Sequence, residues 1–599
     1  MSQPRRHPLI AGAQITGLGT MASRVLGMVR DMATAALLGL AGKGVMDAFV
    51  IAYRIPNLFR RLFGEGALTA SYLPVLSAQL EKDRKSAWQL ASVTFTWLTV
   101  VLAGLVVLGE LLFGLAWLVW GEEPGVGLLL GLAAVMLPYL LLICLAAQVT
   151  ATLHALSHFT VPALAPVVLN VCWLAAAWVA ASYFDQQTQQ AYVLAVGVLV
   201  AGLLQLGVQL PVLRRMGFRF DYNWPASREG LGRVGRALAP MLVGLAVTQI
   251  NTFLDSLVAW GLAAPQISDL GFGNSDLGSQ GPPVQGPHPG VPEPQSLAPK
   301  PEIPNPKSQI LNPKSEIRNL ADPGPPPIPW LGGLVRYPLE QGAAAAIYYG
   351  ERLYQFPLGV LGMAVATAIF PLLSRHAARG DRAKLGADLT LGLRLVLCLG
   401  VPASAGLVIL AHPLAKLLFE HGQFTPADTL RAARMIACYG AGVGAFCALP
   451  VIIRGFYAVG DCGTPAKIAA WVVGLNLGLN LTLIWTPLQE AGLAVATSVS
   501  AGVQVAALML IFSRHQAPLG WTALAATALR TLLCTLLMAV AGCTALHLLG
   551  RCTPAEGLSG ELARVLLPLL LSMAVYVASY SLSRGRELAL LFGAEVVEG

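Results

Sequence analysis

Apolar runs of bilayer length recur so often along this chain that its fold has to be a bundle of membrane-spanning helices. A helix needs ~20 predominantly apolar residues to cross a hydrocarbon layer ~30 Å thick. About fourteen such runs can be drawn, near 10–40, 44–79, 87–120, 126–153, 161–183, 191–213, 230–263, 339–375, 387–411, 427–457, 466–486, 489–513, 520–549 and 561–583. The composition agrees: 55% of the 599 residues are hydrophobic and 12% charged, with a mean hydropathy of +0.65. A soluble domain has no use for that much apolar surface. The expected fold class is therefore an all-α polytopic membrane protein.

Charge sets the orientation. With the N-terminus inside, the inner loops hold Lys82, Arg84 and Lys85, then Arg214, Arg215, Arg219, Arg228, Arg233 and Arg236. Arg375, Arg379, Arg382, Lys384, Lys467, Arg514, Arg584 and Arg586 follow. The opposite turns at 121–125, 184–190 and 486–492 contain neither Lys nor Arg. This asymmetry predicts both termini in the cytoplasm, and it accounts for the net charge of +8 without nucleic-acid affinity. The leading MSQPRRHPLIAG reads as a cytoplasmic lead into the first helix. The nine cysteines show no CxxC or Cys/His spacing, so neither a disulfide framework nor a metal site is expected.

Residues 264–338 interrupt the pattern. They are rich in Pro, Gly, Ser and Asn and repeat NPKSQI at 305–310 as NPKSEI at 312–317. Such a segment cannot bury enough apolar area to offset ordering entropy, so a disordered extracytoplasmic insert is expected. The flanking parts resemble each other. Leu73-Pro74-Val75-Leu76-Ser77 aligns with Phe370-Pro371-Leu372-Leu373-Ser374, and HALSHFTVPA (154–163) aligns with YAVGDCGTPA (457–466). Two matches in the same order indicate a six-helix unit used twice in parallel, an arrangement that places a transport site between two bundles. The expected organisation is an N-lobe over 1–213 and a loop with the seventh helix over 214–263. The insert follows, then the rest of a C-lobe over 339–514 and a final helix pair with a tail over 515–599.

Within this apolar body, 23–66 carries Arg24, Arg30, Asp31, Asp47, Arg54, Arg60, Arg61 and Glu65. Ionisable groups at bilayer depth cost at least ~2.5–3.5 kcal/mol each and normally face a bundle interior or a wet cavity. Arg24 and Arg30 sit too deep in one segment for both to reach an interface, whereas Arg54 and Arg61 are divided evenly between a cavity and a helix end. The eighth helix adds Glu351 and Arg352. Neighbours on a helix point about 100° apart, so these two should not satisfy only each other. Arg24, Arg30, Arg60 and Arg352 are expected to converge on one cationic cavity, with Asp31, Asp47, Glu65 and Glu351 balancing charge or gating.

SRVLGMVRD, MDAFVIAYRIPNLFRRLFGEGA, HFTVPALAPVVLN, YYGERLYQFPLGVLG and GFYAVGDCGTPAK together resemble the MurJ (MviN) lipid II flippase family. That family lies within the multidrug/oligosaccharidyl-lipid/polysaccharide exporter superfamily. The resemblance covers nearly the whole chain outside 264–338 and the extreme C-terminus. It implies fourteen helices in two six-helix lobes plus two C-terminal helices, located in the bacterial cytoplasmic membrane. It also implies a central cationic cavity for the pyrophosphate and sugars of lipid II, and a groove beside helices 13 and 14 for the polyprenyl tail. The family's functional arginines fall on Arg24, Arg30, Arg60 and Arg352, and its helix-2 acid falls on Asp47. A sodium site between helices 7, 11 and 12 maps to Asp255, Asn476, Asn480 and Thr497, with interhelical hydrogen bonding as the equal alternative. No organic cofactor is implied, and coupling to membrane potential or to Na+ stays open. The implied partners are lipid II, membrane lipids and the cell-wall synthesis machinery.

The residues agree with an anionic substrate, since guanidinium groups bind phosphate oxygens with paired donors and stay charged in a low-dielectric cavity. No HExxH, GxSxG or P-loop pattern points to an enzyme. A polysaccharide-lipid or multidrug exporter of the same superfamily is the remaining rival.

Overall fold

The computed structural model describes residues 8–40, 44–62, 68–123, 125–264, 328, 335–552, 557–583, 585 and 587. The chain divides into two units, Met1–Ala263 with Pro338–Gly599, and Ala264–Tyr337. In the second unit the Ile328 amide donates to the Val335 carbonyl at 2.7 Å. Most of the insert expected to be disordered lies outside the described residues, as does Glu65.

The first unit is helical. In order come α1 (Pro8–Leu38), α2 (Val45–Phe59), α3 (Leu68–Lys82), α4 (Arg84–Trp120), α5 (Val126–Met136), α6 (Tyr139–Ala155), α7 (Thr160–Tyr183), α8 (Gln187–Arg215) and α9 (Trp224–Gly261). Then follow α10 (Ala343–Pro357), α11 (Met363–Ala378), α12 (Arg382–Ile409), α13 (Ala411–Phe419), α14 (Pro426–Ala441), α15 (Val443–Ala458), α16 (Gly463–Leu483), α17 (Ala491–His515), α18 (Trp521–Cys552) and α19 (Leu558–Leu582). With α2–α3, α5–α6, α10–α11 and α14–α15 taken as broken pairs, these cover the fourteen expected segments, and α13 is a short addition. Among the described residues, ten helices are long and apolar enough to cross a membrane, or eleven if α14 and α15, bent by 42°, form one span. The others carry the polar cargo: α1 holds Arg24, Arg30 and Asp31, α2 and α3 have 15 residues each, and α9 holds Arg228, Arg233, Arg236 and Asp255.

Each lobe has its own core. In the first, Leu68, Tyr72, Leu76, Ala91, Leu140 and Leu145 pack together, and α9 contributes Val234 and Leu238. In the second, Leu373, Leu389, Val396, Val451, Phe456 and Phe512 do the same. The opposite end of α9 meets α16, so this helix is shared by both lobes. The final pair α18–α19 seats on α12 through Cys398, Cys534, Met538, Tyr576 and Tyr580. Outward faces stay apolar, as on α4 with Val107, Leu111 and Leu118, which is what a helix bathed in lipid requires.

The backbone repeats its irregularities in register. Left-handed Gly44 precedes α2 and left-handed Gly342 precedes α10. A π-turn ends α2 at residues 60–62, and another follows α10 at Leu358–Gly362. Each lies just beyond a proline (Pro56, Pro357) that cannot donate to the helical ladder. Ser157 and Gly460, paired by the sequence alignment, both have positive φ, 57° and 80°. Asp83 and Asp381 cap α4 and α12 by accepting from backbone amides. At Asp83 the Ser86 hydroxyl and amide hold the carboxyl below the usual carboxylate range.

Candidate functional site

Side chains of α1, α2, α7 and α10 enclose a cavity of about 510 Å³ at the contact between the lobes. Its wall carries Arg24, Arg30, Arg60, Arg61 and Arg352, with Asp31 as the one carboxylate among the described residues. All four arginines expected to converge therefore line a single space. Its size falls within the ~300–1,000 Å³ of ligand pockets, enough for a polar headgroup and far short of a whole polyprenyl lipid.

The deep end is held by a network built around Asp31. Arg30 Nε and Nη2 donate to Asp31 Oδ1 at 3.0 and 2.8 Å, and the Tyr348 hydroxyl donates to the same oxygen at 2.8 Å. Arg352 Nε lies 3.1 Å from Asp31 Oδ2, an ion pair that joins α10 to α1. The planes of both guanidiniums are supported by rings: Arg30 lies 4.6 Å from the Trp173 centroid and Arg352 lies 4.2 Å from that of Tyr348. Asn170 accepts from Arg30 Nη1 at 3.2 Å and donates to the Ser23 carbonyl at 2.9 Å, tying α7 to α1. Phe49 and Tyr53 of α2 meet Trp173 edge-on with centroids 5.6 and 5.0 Å away. Nearer the mouth, Arg60 Nε donates to Asn57 Oδ1 at 2.9 Å. Arg24 is exposed, and Nη1 reaches the Gln355 carbonyl at 3.5 Å.

Two expected counter-charges lie elsewhere. Asp47 does not face the arginines; its oxygens accept from the Gly342 and Ala345 amides, both at 2.7 Å. It therefore caps α10 from the other lobe, where exposed amides and the helix dipole stabilise an anion. Glu351 pairs with Arg54 at 3.1 Å and not with Arg352, as helical neighbours that point ~100° apart allow. Arg54 also donates to the Thr252 carbonyl at 2.9 Å and is buried, so it is not a helix-end arginine. Among the described residues Asp31 is the cavity's one counter-charge, held between Arg30 and Arg352.

Tyr348, Asn170 and Trp173 are site residues that sequence reasoning missed, while Arg54, divided evenly between a cavity and a helix end, is a buried arginine paired across the lobes. For Arg54 a signal existed: with Gly44 set over Gly342, Arg54 falls on Arg352. Each arginine then pairs with an acid of the opposite lobe.

A second polar cluster sits between α9, α16 and α17. Asp255 Oδ1 accepts from Asn476 and Asn480 Nδ2 at 2.8 and 2.6 Å. Asp255 Oδ2 accepts from the Thr497 hydroxyl at 3.3 Å and from Asn251 at 3.5 Å. The structure thus brings together Asp255, Asn476, Asn480 and Thr497 around one buried carboxylate. Asn480 Oδ1 is buried without a hydrogen-bond partner. Turning the two amides would present carbonyl oxygens beside the carboxylate, a donor set that suits a hard cation.

The family model described as lipid II flippase MurJ matches residues 35–274 and 334–554. A probable lipid II flippase MurJ of Vibrio cholerae is 31% identical over 515 residues, spanning 84% of this chain and 82% of its own. Lipid II flippase MurJ of Burkholderia cenocepacia is 28% identical, spanning 84% of each chain. A solved lipid II flippase MurJ in an inward closed conformation matches with a TM-score of 0.67 at 19% identity, over 96% of this chain and 99% of its own. An inward-facing multidrug transporter of the MATE family shares the fold more distantly, with a TM-score of 0.57 at 11% identity over 84% and 95%. By sequence and by fold, the chain belongs to the lipid II flippase MurJ family.

Proposed function

We propose that this chain carries lipid II, the lipid-linked peptidoglycan precursor, from the inner to the outer leaflet of the bacterial cytoplasmic membrane by alternating access. It acts as a transporter and not as an enzyme. The observation that carries this reading is the interlobe cavity, lined among the described residues by five arginines and one carboxylate. A multidrug exporter for cationic drugs needs the opposite sign.

Both termini are taken as cytoplasmic, which puts Asp47, Gly342 and Ala345 at the outer end and Arg60, Arg61 and His154 towards the inner one. The outer end is then closed by the Asp47 cap and by the Gln423 amide donating to the Ala36 carbonyl at 2.9 Å. A pyrophosphate entering from the cytoplasm would meet Arg24, Arg60 and Arg61 first. It would then compete with Asp31 for Arg30 and Arg352. That competition weakens the Arg352–Asp31 bridge, so bound substrate favours a different arrangement of the lobes. A ligand shifts a two-state equilibrium only through such differential contacts. The cluster around Asp255 supports a further reading, cation coupling through α9, the helix common to both lobes.

The test is lipid II flipping in proteoliposomes, with orientation checked by labelling single cysteines from outside. Transport of lipid II above protein-free vesicles, lost on replacing Arg30, Arg60 and Arg352 by Ala, supports the proposal. Equal transport by that triple variant would sink the role of the arginines, and no lipid II transport by the unaltered protein above protein-free vesicles would favour another exported lipid.

A further inference from the structure

Away from the central cavity, a second anion site is built where α12, α18 and α19 meet. Its occupant is the chain's own Glu587, five residues beyond the end of α19 and fully buried. Arg394 of α12 donates to Glu587 Oε1 from Nη2 at 2.6 Å and from Nε at 3.1 Å. The Thr527 hydroxyl donates to the same oxygen at 2.7 Å and accepts from Arg394 Nε at 2.9 Å. On the other oxygen, the Tyr580 hydroxyl donates at 2.9 Å and Arg530 Nη1 lies 3.7 Å away. The segment reaches this crevice through a tight return at Gly585, where a Cβ would stand 2.1 Å from the Tyr580 ring.

We propose that the crevice formed by Arg394, Thr527, Arg530 and Tyr580 binds the phosphate of an anionic membrane lipid, and that Glu587 occupies it as an internal surrogate.

Four observations carry this. Two guanidiniums face one carboxylate, so the site keeps a positive charge that a single acid does not cancel. Two arginines and two hydroxyls supply more donors than a carboxylate can use, and they suit the oxygens of a phosphate. The arginine side chains are 28% and 31% exposed while the carboxylate is covered, so the cations can be approached from the flank of the bundle. Leu529 and Leu533 beside Arg530, continued by Leu536 and Leu537, expose an apolar strip that would lie along acyl chains. Exchange requires that Glu587 withdraw from the crevice, with Gly585 as the pivot. Anionic lipid would thereby release Glu587 from the α12–α18–α19 face, a composition-sensitive contact separate from the transport cavity.

The experiment uses the full chain in nanodiscs of phosphatidylcholine with increasing phosphatidylglycerol. In the unaltered protein, hydrogen exchange of the 585–587 amides should accelerate as the phosphatidylglycerol fraction rises. Exchange that ignores lipid composition would overturn the proposal. In detergent, Glu587→Gln should lower the concentration of short-chain phosphatidylglycerol needed for half-maximal thermal stabilisation by about tenfold, the effect of removing one charge-assisted competitor. Arg394→Gln added to Glu587→Gln should abolish that stabilisation. Equal stabilisation by phosphatidylcholine, or by inorganic phosphate at the same concentration, would overturn the assignment to an anionic lipid.

Discussion

Arg352 of α10 and Asp31 of α1 lie 3.1 Å apart across the contact between the two lobes. Asp31 also holds Arg30, so one carboxylate bridges one arginine from each side. Whatever separates the lobes at this depth has to break this bridge or replace it.

Asp31→Asn leaves buried Arg30 and partly buried Arg352 without their shared counter-charge. Removing one partner of a buried pair costs about 3–5 kcal/mol, so thermal unfolding of the purified protein should shift strongly downward. Adding Arg352→Gln should recover part of the loss. Additive effects in that double-mutant cycle would mean that the bridge contributes nothing.

At Arg60 and Arg352, replacement by Ala should slow lipid II flipping by about tenfold or more, the rate equivalent of losing ~1.4 kcal/mol of charge-assisted bonding. Lys should fall between Arg and Ala, because it keeps the charge and loses the planar fork. Lys and Ala variants of equal activity would argue against bidentate recognition.

Gly359 separates activity from stability. A Cβ there would stand 2.1 Å from Arg24 Nη2, the far end of a flexible side chain, so Arg24 can move aside at little energetic cost. Gly359→Ala should leave the unfolding temperature nearly unchanged and reduce flipping by displacing the guanidinium. A variant that transports normally removes Arg24 from the working site.

Asp47→Ala deprives the Gly342 and Ala345 amides of their acceptor. The loss of a cap costs about 0.5–2 kcal/mol. Hydrogen exchange at Ala345 should accelerate while exchange in α16 and α17 does not change. Unchanged protection at Ala345 would falsify the capping role.

If Asp255 holds a cation, NaCl should raise the unfolding temperature more than choline chloride at equal ionic strength, and Asp255→Asn should erase the difference. The same response to both salts would leave this cluster as an interhelical hydrogen-bond knot.

Fourteen helical segments, the duplication and the sign of the site were all legible in the sequence, because each rests on local chemistry. Bilayer-length apolar runs have few alternatives to helices in lipid, and arginines at that depth need a wet cavity. The alignment of HALSHFTVPA with YAVGDCGTPA even placed Ser157 on Gly460, two residues that share the same rare backbone conformation. Only the tertiary structure decided which acid meets which base. Asp47 and Asp31 are both buried aspartates near arginines in sequence, yet Asp47 caps α10 while Asp31 bridges Arg30 and Arg352. Glu351 and Arg352 are adjacent and serve opposite partners. Glu587 pairs with Arg394 across 193 residues. Periodicity along one helix fixes the direction of a charge, but its partner is set by how two helices distant in sequence are docked and rotated. That docking follows from the packing of both lobes at once, which no local pattern encodes.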